Sequence, residues 1–589
     1  MKFKFAISMI LILSLCAMAQ TQQPKEAQEK PKDEKAEEKK QPPPPPARPQ
    51  PPPEYTAYSQ ANRISDPQKR IEALEKVLVD FPKADPFVTG MVHQAILSSM
   101  VKAWPDQKEK ILAQAQKYID LYPEPNQSGA SSPMPAGGSQ PNRGSAYNTV
   151  ASTLLGAGVL LDEAKVFAEK GLASLDEKSY IETQKKMYES AKRPAPTDEE
   201  LAKTFRGMRA GYTSVLGRIL LKKGNVAEAE KLLKDSYEAN PSNTATATAL
   251  ATIAEKAGNN KAAVDYLAIA ILSGRASKDD RAKFEELYGK THNNSTTGLE
   301  AFLDERYKKA FPAPVHAEHY KPSASRSNRV VLAEVFTGSG CPPCVAADLA
   351  FDAMMERYSR NEVAVIMYHQ HIPLPDPMTN TAVQNRFKFY QGGGVPTYVI
   401  DGMKDGGGGP REMTRQFYDR INPKIEKQLE AASDADLKLE ASFDGTTIKV
   451  KAMVANVKAE GEVKLQIALA EEMLRYTGEN GVRFHPMVVR ALGGKDAGGF
   501  LVDTSKLASI EETFDVPKIV EGLKAHLDDF ETKRNSANPD STNKFAFSEK
   551  KHQIDAANLS VIAFVQDEKT KKVLQAVYVR VKPDTAASR

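Results

Sequence analysis

Residues 335–351 read VFTGSGCPPCVAADLAF. An apolar, β-branched run, RVVLAEVF (329–336), leads into this stretch, and PPCVAADLAFDAMMERY (342–358) leaves it with the three- and four-residue apolar spacing of a helix. A second buried-looking strand follows in EVAVIMYH (362–369), and a third in TYVIDG (397–402), which ends in a turn. Strand, helix, strand implies a right-handed crossover joining a parallel pair. The chain has three cysteines, and two of them, Cys341 and Cys344, sit at the junction of strand and helix.

Three chemistries use a Cys-x-x-Cys pair. Covalent haem attachment needs a histidine after the second cysteine, where this chain has Val345. Zinc needs two further ligands; His369 and His371 are the nearby candidates, but a His-x-His spacing is unusual and no second Cys-x-x-Cys exists. A redox dithiol is favoured, because a helix start is where the dipole assists thiol chemistry.

The N-terminus places the pair in a compartment. MKFKFAISMILILSLCAMAQ has basic Lys2 and Lys4, an apolar run from Phe5 to Leu15 and an Ala17-Met18-Ala19 cleavage pattern, so residues 1–19 read as an export signal. A periplasmic or secreted protein without a membrane span in the mature chain is expected. Lipid anchoring at Cys16 is disfavoured by the bulky Leu15. Oxidising compartments normally recruit cysteines as staples, yet none remain here for stapling, which frees the one pair for chemistry. The formal charge of +4 gives no reason to expect nucleic acid.

Residues 20–54 are Lys/Glu-rich and then proline-rich, a disordered linker by composition. From 55 to 311 the period is helical, and Gly224-Asn225 recurs as Gly258-Asn259, a shift that superposes Leu216 on Leu250, Ala229 on Ala263 and Leu233 on Leu267. Leu216, Gly217, Leu220, Ala229 and Pro241 resemble the tetratricopeptide repeat family. A second repeat is looser, with Leu250, Ala263 and Ala270 but Arg275 in place of the terminal proline, and a third surrounds Ala164. Such repeats imply a surface that binds proteins or peptides. The 123–145 loop is expected to be mobile, and 312–328 reads as a linker between a helical domain and a separately folding second one. From 434 to 589 the alternation, with an Asp444-Gly445 turn, reads as a β-sandwich accessory domain whose sequence carries no chemistry. The whole is therefore expected to be multidomain: an all-α helical repeat, an α/β domain at 329–433 and a C-terminal β-sandwich.

Strand, CPPC at a helix start, second strand and Val395-Pro396-Thr397 before a further strand resemble the thioredoxin superfamily over about 329–427. EVFTGSGCPPC, QNRFKFYQGGGVPTYVIDG and the later VVRAL are similar to exported thioredoxin-like proteins carrying a C-terminal β domain. The resemblance implies an exposed nucleophile at Cys341, a resolving thiol at Cys344 and a Cys341–Cys344 disulfide in the oxidised state. It also implies a cis-proline at Pro396, with Val395 and Thr397 beside it at the substrate site. Glu334 stands one residue farther from the first cysteine than the family's buried acid and is the candidate proton acceptor. His369 is placed at the substrate rim. Gly340 replaces a frequent tryptophan, so Gly-Ser-Gly is expected to leave the approach to Cys341 open.

No cofactor is implied. The expected function is a thiol–disulfide oxidoreductase acting on protein substrates gathered by the repeats, with a membrane or soluble partner resetting the dithiol. Pro342 and Pro343 lack amide N–H groups, which favours a reductase or isomerase over a strong oxidase. The alternatives are a peptide-binding scaffold with an inert thioredoxin-like domain, or an envelope assembly protein with a structural dithiol.

Overall fold

The computed structural model describes residues 51–124, 142–192, 195–537, 539 and 544–583. The export signal and nearly all of the 20–54 linker lie outside the described residues, as does most of the 123–145 loop.

Helices fill the first part: α1 Pro53–Asn62, α2 Pro67–Asp80, α3 Pro86–Ala103, α4 Lys108–Asp120, α5 Arg143–Ala157, α6 Leu161–Ala173 and α7 Glu177–Ser190. They continue with α8 Asp198–Lys222, α9 Val226–Ala239, α10 Thr244–Lys256, α11 Asn260–Leu272, α12 Lys278–Thr291 and α13 Leu299–Ala310. The sequence repeat is a repeat of structure. Gly224 and Gly258 each take a left-handed φ (88° and 77°) just before the second helix of a pair. Ala229 and Ala263 are fully buried where the paired helices meet, as is Leu233. A Cβ on Gly217 would lie 2.9 Å from Leu233 Cγ, so glycine is what lets α8 and α9 approach. Stacking of adjacent pairs then buries a face that one pair alone leaves wet.

The remaining elements are β1 Val331–Thr337, α14 Cys344–Arg357, β2 Val363–His369, α15 Thr381–Phe389, β3 Thr397–Ile400, β4 Met403–Gly406 and α16 Thr414–Glu430. Next come β5 Asp436–Phe443, β6 Thr447–Ala455, β7 Val463–Arg475, β8 Phe484–Leu492, β9 Phe500–Leu501, β10 Ala508–Asp515, α17 Val516–Ser536, β11 Leu559–Asp567, β12 Val573–Arg580 and β13 Lys582–Pro583. Strands β1 and β2 are parallel with α14 crossing between them, and β3 runs antiparallel to β1. The face of β1 carrying Val331, Ala333 and Val335 packs on α14 and α16, and the other face, with Leu332 and Phe336, packs on α15.

The expected border at 433/434 does not divide two sheets. One sheet runs β12-β11-β7-β8-β2-β1-β3-β4, with β9 on β7, and β8 joins β2 in parallel at Met367 and Val488. The second sheet, β10-β6-β5-β13, lies over the C-terminal part of the first, with Ile448, Val450 and Val454 packed among Leu465, Ile467, Val561 and Val565. Two sheets do face each other, but one of them is shared with the strands that flank the cysteine pair. Strand β2 is buried along its whole length, so the backbone N–H and C=O groups on its far edge need a partner strand, which is why the sheet does not stop there. Helix α17 interrupts the expected all-β region; its Val516, Val520, Leu523 and Leu527 have helical spacing within VPKIVEGLKAHLDDF.

The 312–328 segment is not a spacer either. Val315 is buried in the α14–α16 core, Tyr320 N–H donates to the Arg357 carbonyl at 2.8 Å, and the Ser327 hydroxyl to the Ala431 carbonyl at 2.6 Å. The last repeat helix is tied to the sheet by Arg483, 2 % exposed, whose guanidinium reaches Glu300 and Asp304 on α13, each at 2.7 Å. Beside it the rings of Tyr307 and Phe484 meet edge to face at 5.5 Å. The described residues from Pro53 onward accordingly pack as one compact unit. Among the described residues, no helix is long and apolar enough to cross a membrane.

A fragment of residues 312–433 lacks the strand that covers the edge of β2 and is expected to show no cooperative thermal transition. The 312–583 fragment is expected to melt cooperatively. Circular dichroism during heating decides, and a cooperative native-like melt of the shorter piece would restore the expected border.

Candidate functional site

Strand β1 ends at Thr337, the chain passes through Gly338-Ser339-Gly340, and Cys341 and Cys344 are joined by a disulfide at the start of α14. The first-turn amides are engaged elsewhere. Cys344 N–H donates to the Cys341 carbonyl at 3.1 Å, Val345 N–H to the Pro342 carbonyl at 3.4 Å, and Ala346 N–H to the Gly409 carbonyl at 3.0 Å.

Both cysteines are fully buried, although Pro342 and Pro343 between them are exposed. This corrects the expectation of an exposed Cys341 and an open approach. The Gly-Ser-Gly segment is glycine-rich because other parts of the chain press against it. A Cβ on Gly340 would stand 2.6 Å from Leu374 Cβ, and one on Gly338 would stand 2.6 Å from the Ile372 carbonyl oxygen. On the far wall the Val395–Pro396 peptide is cis, and Cys341 Sγ lies 3.8 Å from the Val395 carbonyl oxygen. Thr397 opens β3, and its hydroxyl donates to the Gly394 carbonyl at 2.7 Å. Cys341, Cys344, Val395, Pro396 and Thr397 are thus brought together.

Glu334 is not among them. It is fully buried, but on the α15 face of β1, opposite the cysteines. Its carboxylate receives Arg386 Nε at 2.7 Å and Nη2 at 3.0 Å, Tyr368 O–H at 3.1 Å and Tyr390 O–H at 2.5 Å. Alternation along the strand dictates this: Glu334 lies an odd number of residues from Val335 and Thr337 is the next position on the cysteine face. Glu334 therefore does not serve as the proton acceptor for Cys344.

The cysteine face carries a different acid. Thr337 O–H donates to Asp348 Oδ2 at 2.8 Å, while Asp348 Oδ1 is buried without a hydrogen-bond partner. Asp348 lies four residues after Cys344 on α14, hence on the same helix face. Burial pushes its carboxyl up to about 7, against the opposing pull of the Thr337 hydroxyl. A turn further on, burial pushes Asp352 to about 8, and its Oδ1 is also unpartnered. The signal was present in the sequence: CVAADLAFDAMM is apolar apart from two aspartates at four-residue spacing after Cys344.

His369 is 2 % exposed and so not a rim residue. Its Nδ1 meets Asp376 Oδ2 at 2.9 Å. Asp376 also accepts the N–H of Ser339 at 2.6 Å and of Met378 at 2.8 Å. Burial alone would raise Asp376, but His369 and these amides hold it down at about 2. The His485 ring sits 5.1 Å from that of His369 and is pushed down to about 3, chiefly by burial. The His371 ring packs against Phe530 at 3.8 Å, tilted by 30°, and accepts Asp376 N–H at 2.9 Å. These groups fix the loop after β2 against the Gly-Ser-Gly segment, so His369 positions the approach to the disulfide and does not line it.

No known family profile matches the chain, and no curated protein matches it. Several solved structures align in part. HBP35 of Porphyromonas gingivalis aligns over 45% of this chain and 79% of its own, at 15% identity and a TM-score of 0.30. A domain of the outer membrane lipoprotein Omp28 from Porphyromonas gingivalis aligns over 26% and 92%, at 18% identity and a TM-score of 0.16. Pseudomonas aeruginosa pilF aligns over 38% and 94%, at 14% identity and a TM-score of 0.18. These likenesses are too remote to define a family for the chain.

Asp348 is raised from 3.8. The folded protein therefore holds its full stability from this group below about pH 4 and loses it as pH climbs through about 7. Oxidised Asp348→Asn, which keeps a partner for Thr337 and does not titrate, is expected to match wild type near pH 4 apart from a constant offset. It should then gain on wild type by roughly 2–4 kcal/mol by pH 8. Urea unfolding across this range measures it; a gap that stays constant with pH would place the titration elsewhere.

Proposed function

We propose that this protein is an extracytoplasmic thiol–disulfide oxidoreductase working as a reductase or isomerase, with a thioredoxin-like core between a tetratricopeptide-like repeat and the C-terminal strands. The carrying observation is the Cys341–Cys344 disulfide at the start of α14, flanked by the Val395–Pro396 loop and followed one turn later by a buried carboxyl with a vacant acceptor oxygen. The parallel β1-α14-β2 unit with antiparallel β3 and β4 supports the thioredoxin-like reading. The helix pairs support protein substrates, and the export pattern at residues 1–19 supports the location.

In the reducing direction, the Cys341 thiolate attacks a substrate disulfide, forms a mixed disulfide and releases one substrate thiolate. Cys344 then gives its proton to Asp348 and attacks Cys341 Sγ. The internal disulfide closes and the second substrate thiolate leaves, so two electrons pass to the substrate. A reducing partner, membrane-bound or soluble, restores the dithiol.

Direction follows from the helix start. Pro342 and Pro343 donate nothing, and the next three amides are already bonded to carbonyls, so the Cys341 thiolate lacks the amide donors that stabilise the reduced form of strong oxidants. The burial of both sulfurs favours a second reading, a binding scaffold with an inert disulfide.

Cys344→Ser is expected to accumulate mixed disulfides at Cys341 in the native compartment, and Asp348→Asn to slow their resolution roughly 10–100-fold at neutral pH, the usual scale for a lost general base. Equilibration of wild type with a glutathione buffer is expected to give a potential nearer about −200 mV or below than about −120 mV. Failure to trap any mixed disulfide would support the scaffold; a strongly oxidising potential would make the protein an oxidase.

A further inference from the structure

The connection between β7 and β8, residues 476–483, is a tight hairpin: Tyr476 N–H donates to the Arg483 carbonyl at 3.0 Å and Gly478 N–H to the Val482 carbonyl at 2.9 Å. Its tip lies on the segment that carries the disulfide. Asn480 N–H donates to the Ser339 carbonyl at 3.0 Å. Its side-chain amide reaches the carbonyls of Gly338 at 3.3 Å and Cys341 at 3.4 Å, while its Oδ1 is held by Val482 N–H at 3.0 Å. Val482, 2 % exposed, packs on Val345 and Leu349 of α14. A Cβ on Gly478 would stand 2.4 Å from the Ser339 carbonyl oxygen, so the two backbones touch.

The other side of the same hairpin rests on the helical repeats. Gly274, at the corner between α11 and α12, has φ 78°, and a Cβ there would overlap the Gly478 carbonyl. Arg483 at the hairpin base joins Thr477 Oγ1 at 3.0 Å to Glu300 and Asp304 of α13, and Arg475 adds a second contact to Asp304 at 2.7 Å.

We propose that this hairpin, through Asn480, is the specificity determinant of the redox pair: clamped by α13, it closes the disulfide to small thiols such as glutathione and reserves it for protein partners that displace the hairpin. The proposal rests on the redox reading above. A small thiolate that reaches Cys341 Sγ breaks the S–S bond, forms a mixed disulfide and expels Cys344 as a thiolate, which takes up a proton. The hairpin opposes the first of these events by holding the loop that carries Cys341 in its closed position, through bonds to the carbonyls of Gly338, Ser339 and Cys341 itself.

The test is the rate at which dithiothreitol reduces the full-length oxidised protein, read by quenching with an alkylating agent and weighing the product. Asn480→Ala removes both side-chain bonds to the cysteine loop and is expected to raise the rate about tenfold. Glu300→Gln with Asp304→Asn releases Arg483 from a different side and is expected to raise it at least as much, which keeps the test decisive if either variant fails to fold. Rates equal to wild type in every folded variant, with wild type reduced as fast as the urea-unfolded chain, would overturn the hairpin's role and leave the redox reading standing. A wild-type pair that does not re-form its disulfide after reduction would overturn both.

Discussion

The buried ion pair of Glu334 and Arg386 is what the sheet region is assembled around. Glu334 sits on β1, Arg386 on α15 with Tyr390 just past its end, Tyr368 on β2, and Gln566 of β11 closes the cluster by accepting from Arg386 at 2.8 Å and donating to Tyr390 at 2.9 Å. Four elements that are far apart in the chain meet through one carboxylate. Desolvating two charges is expensive, and the cost is offset only when nearly every donor and acceptor is satisfied, as here. Loss of either partner would strand a buried charge at a cost of about 3–5 kcal/mol. Because Gln566 belongs to the C-terminal strands, the charge cannot be satisfied by the β1–β4 region alone, which is the energetic counterpart of the continuous sheet.

That constraint leaves the opposite face of β1 free for the cysteine pair. With Glu334 committed to α15, the strand offers Val331, Ala333 and Val335 to α14, and at its end the hydroxyl of Thr337 to Asp348. Asp376 does the equivalent for the loops, gathering Ser339, His369 and Met378 on one carboxylate. Two buried acids thus build the site, and a third, only partly satisfied, is left with chemical capacity.

Local features were legible in the sequence. The period of 34 residues shows in the helix starts Val226 and Asn260 (260 − 226), and the alternation of RVVLAEVF and the position of CPPC fixed β1, α14 and their crossover. What escaped was non-local. Nothing in EVAVIMYH says that its free edge will meet residues 484–492, because strand pairing is written in no single segment. The buried Cys341 sits in a loop met by Leu374, Val395 and Asn480, contacts of tertiary packing that composition cannot show. Glu334 was misread by one position: a shift of one residue along a strand reverses its face, and only the register on β2 and β3 fixes which face holds the cysteines. Asp348 is legible as an acid in an otherwise apolar helix, four residues after Cys344, although its pairing with Thr337 is not.

The pairing of β2 with β8 also sets an order of events while the chain is being made. Met367 waits for Val488, 121 residues later (488 − 367), so β2 emerges with one bare edge and no partner to cover it. During that interval the edge is a hazard for pairing with other chains, and the nascent protein depends on chaperones or on rapid completion. The two cysteines, by contrast, emerge only three residues apart and well before Asn480, whose side chain reaches the Cys341 carbonyl in the folded protein. A disulfide between neighbours so close in the chain needs no long-range contact to form, so it can precede the packing of the hairpin.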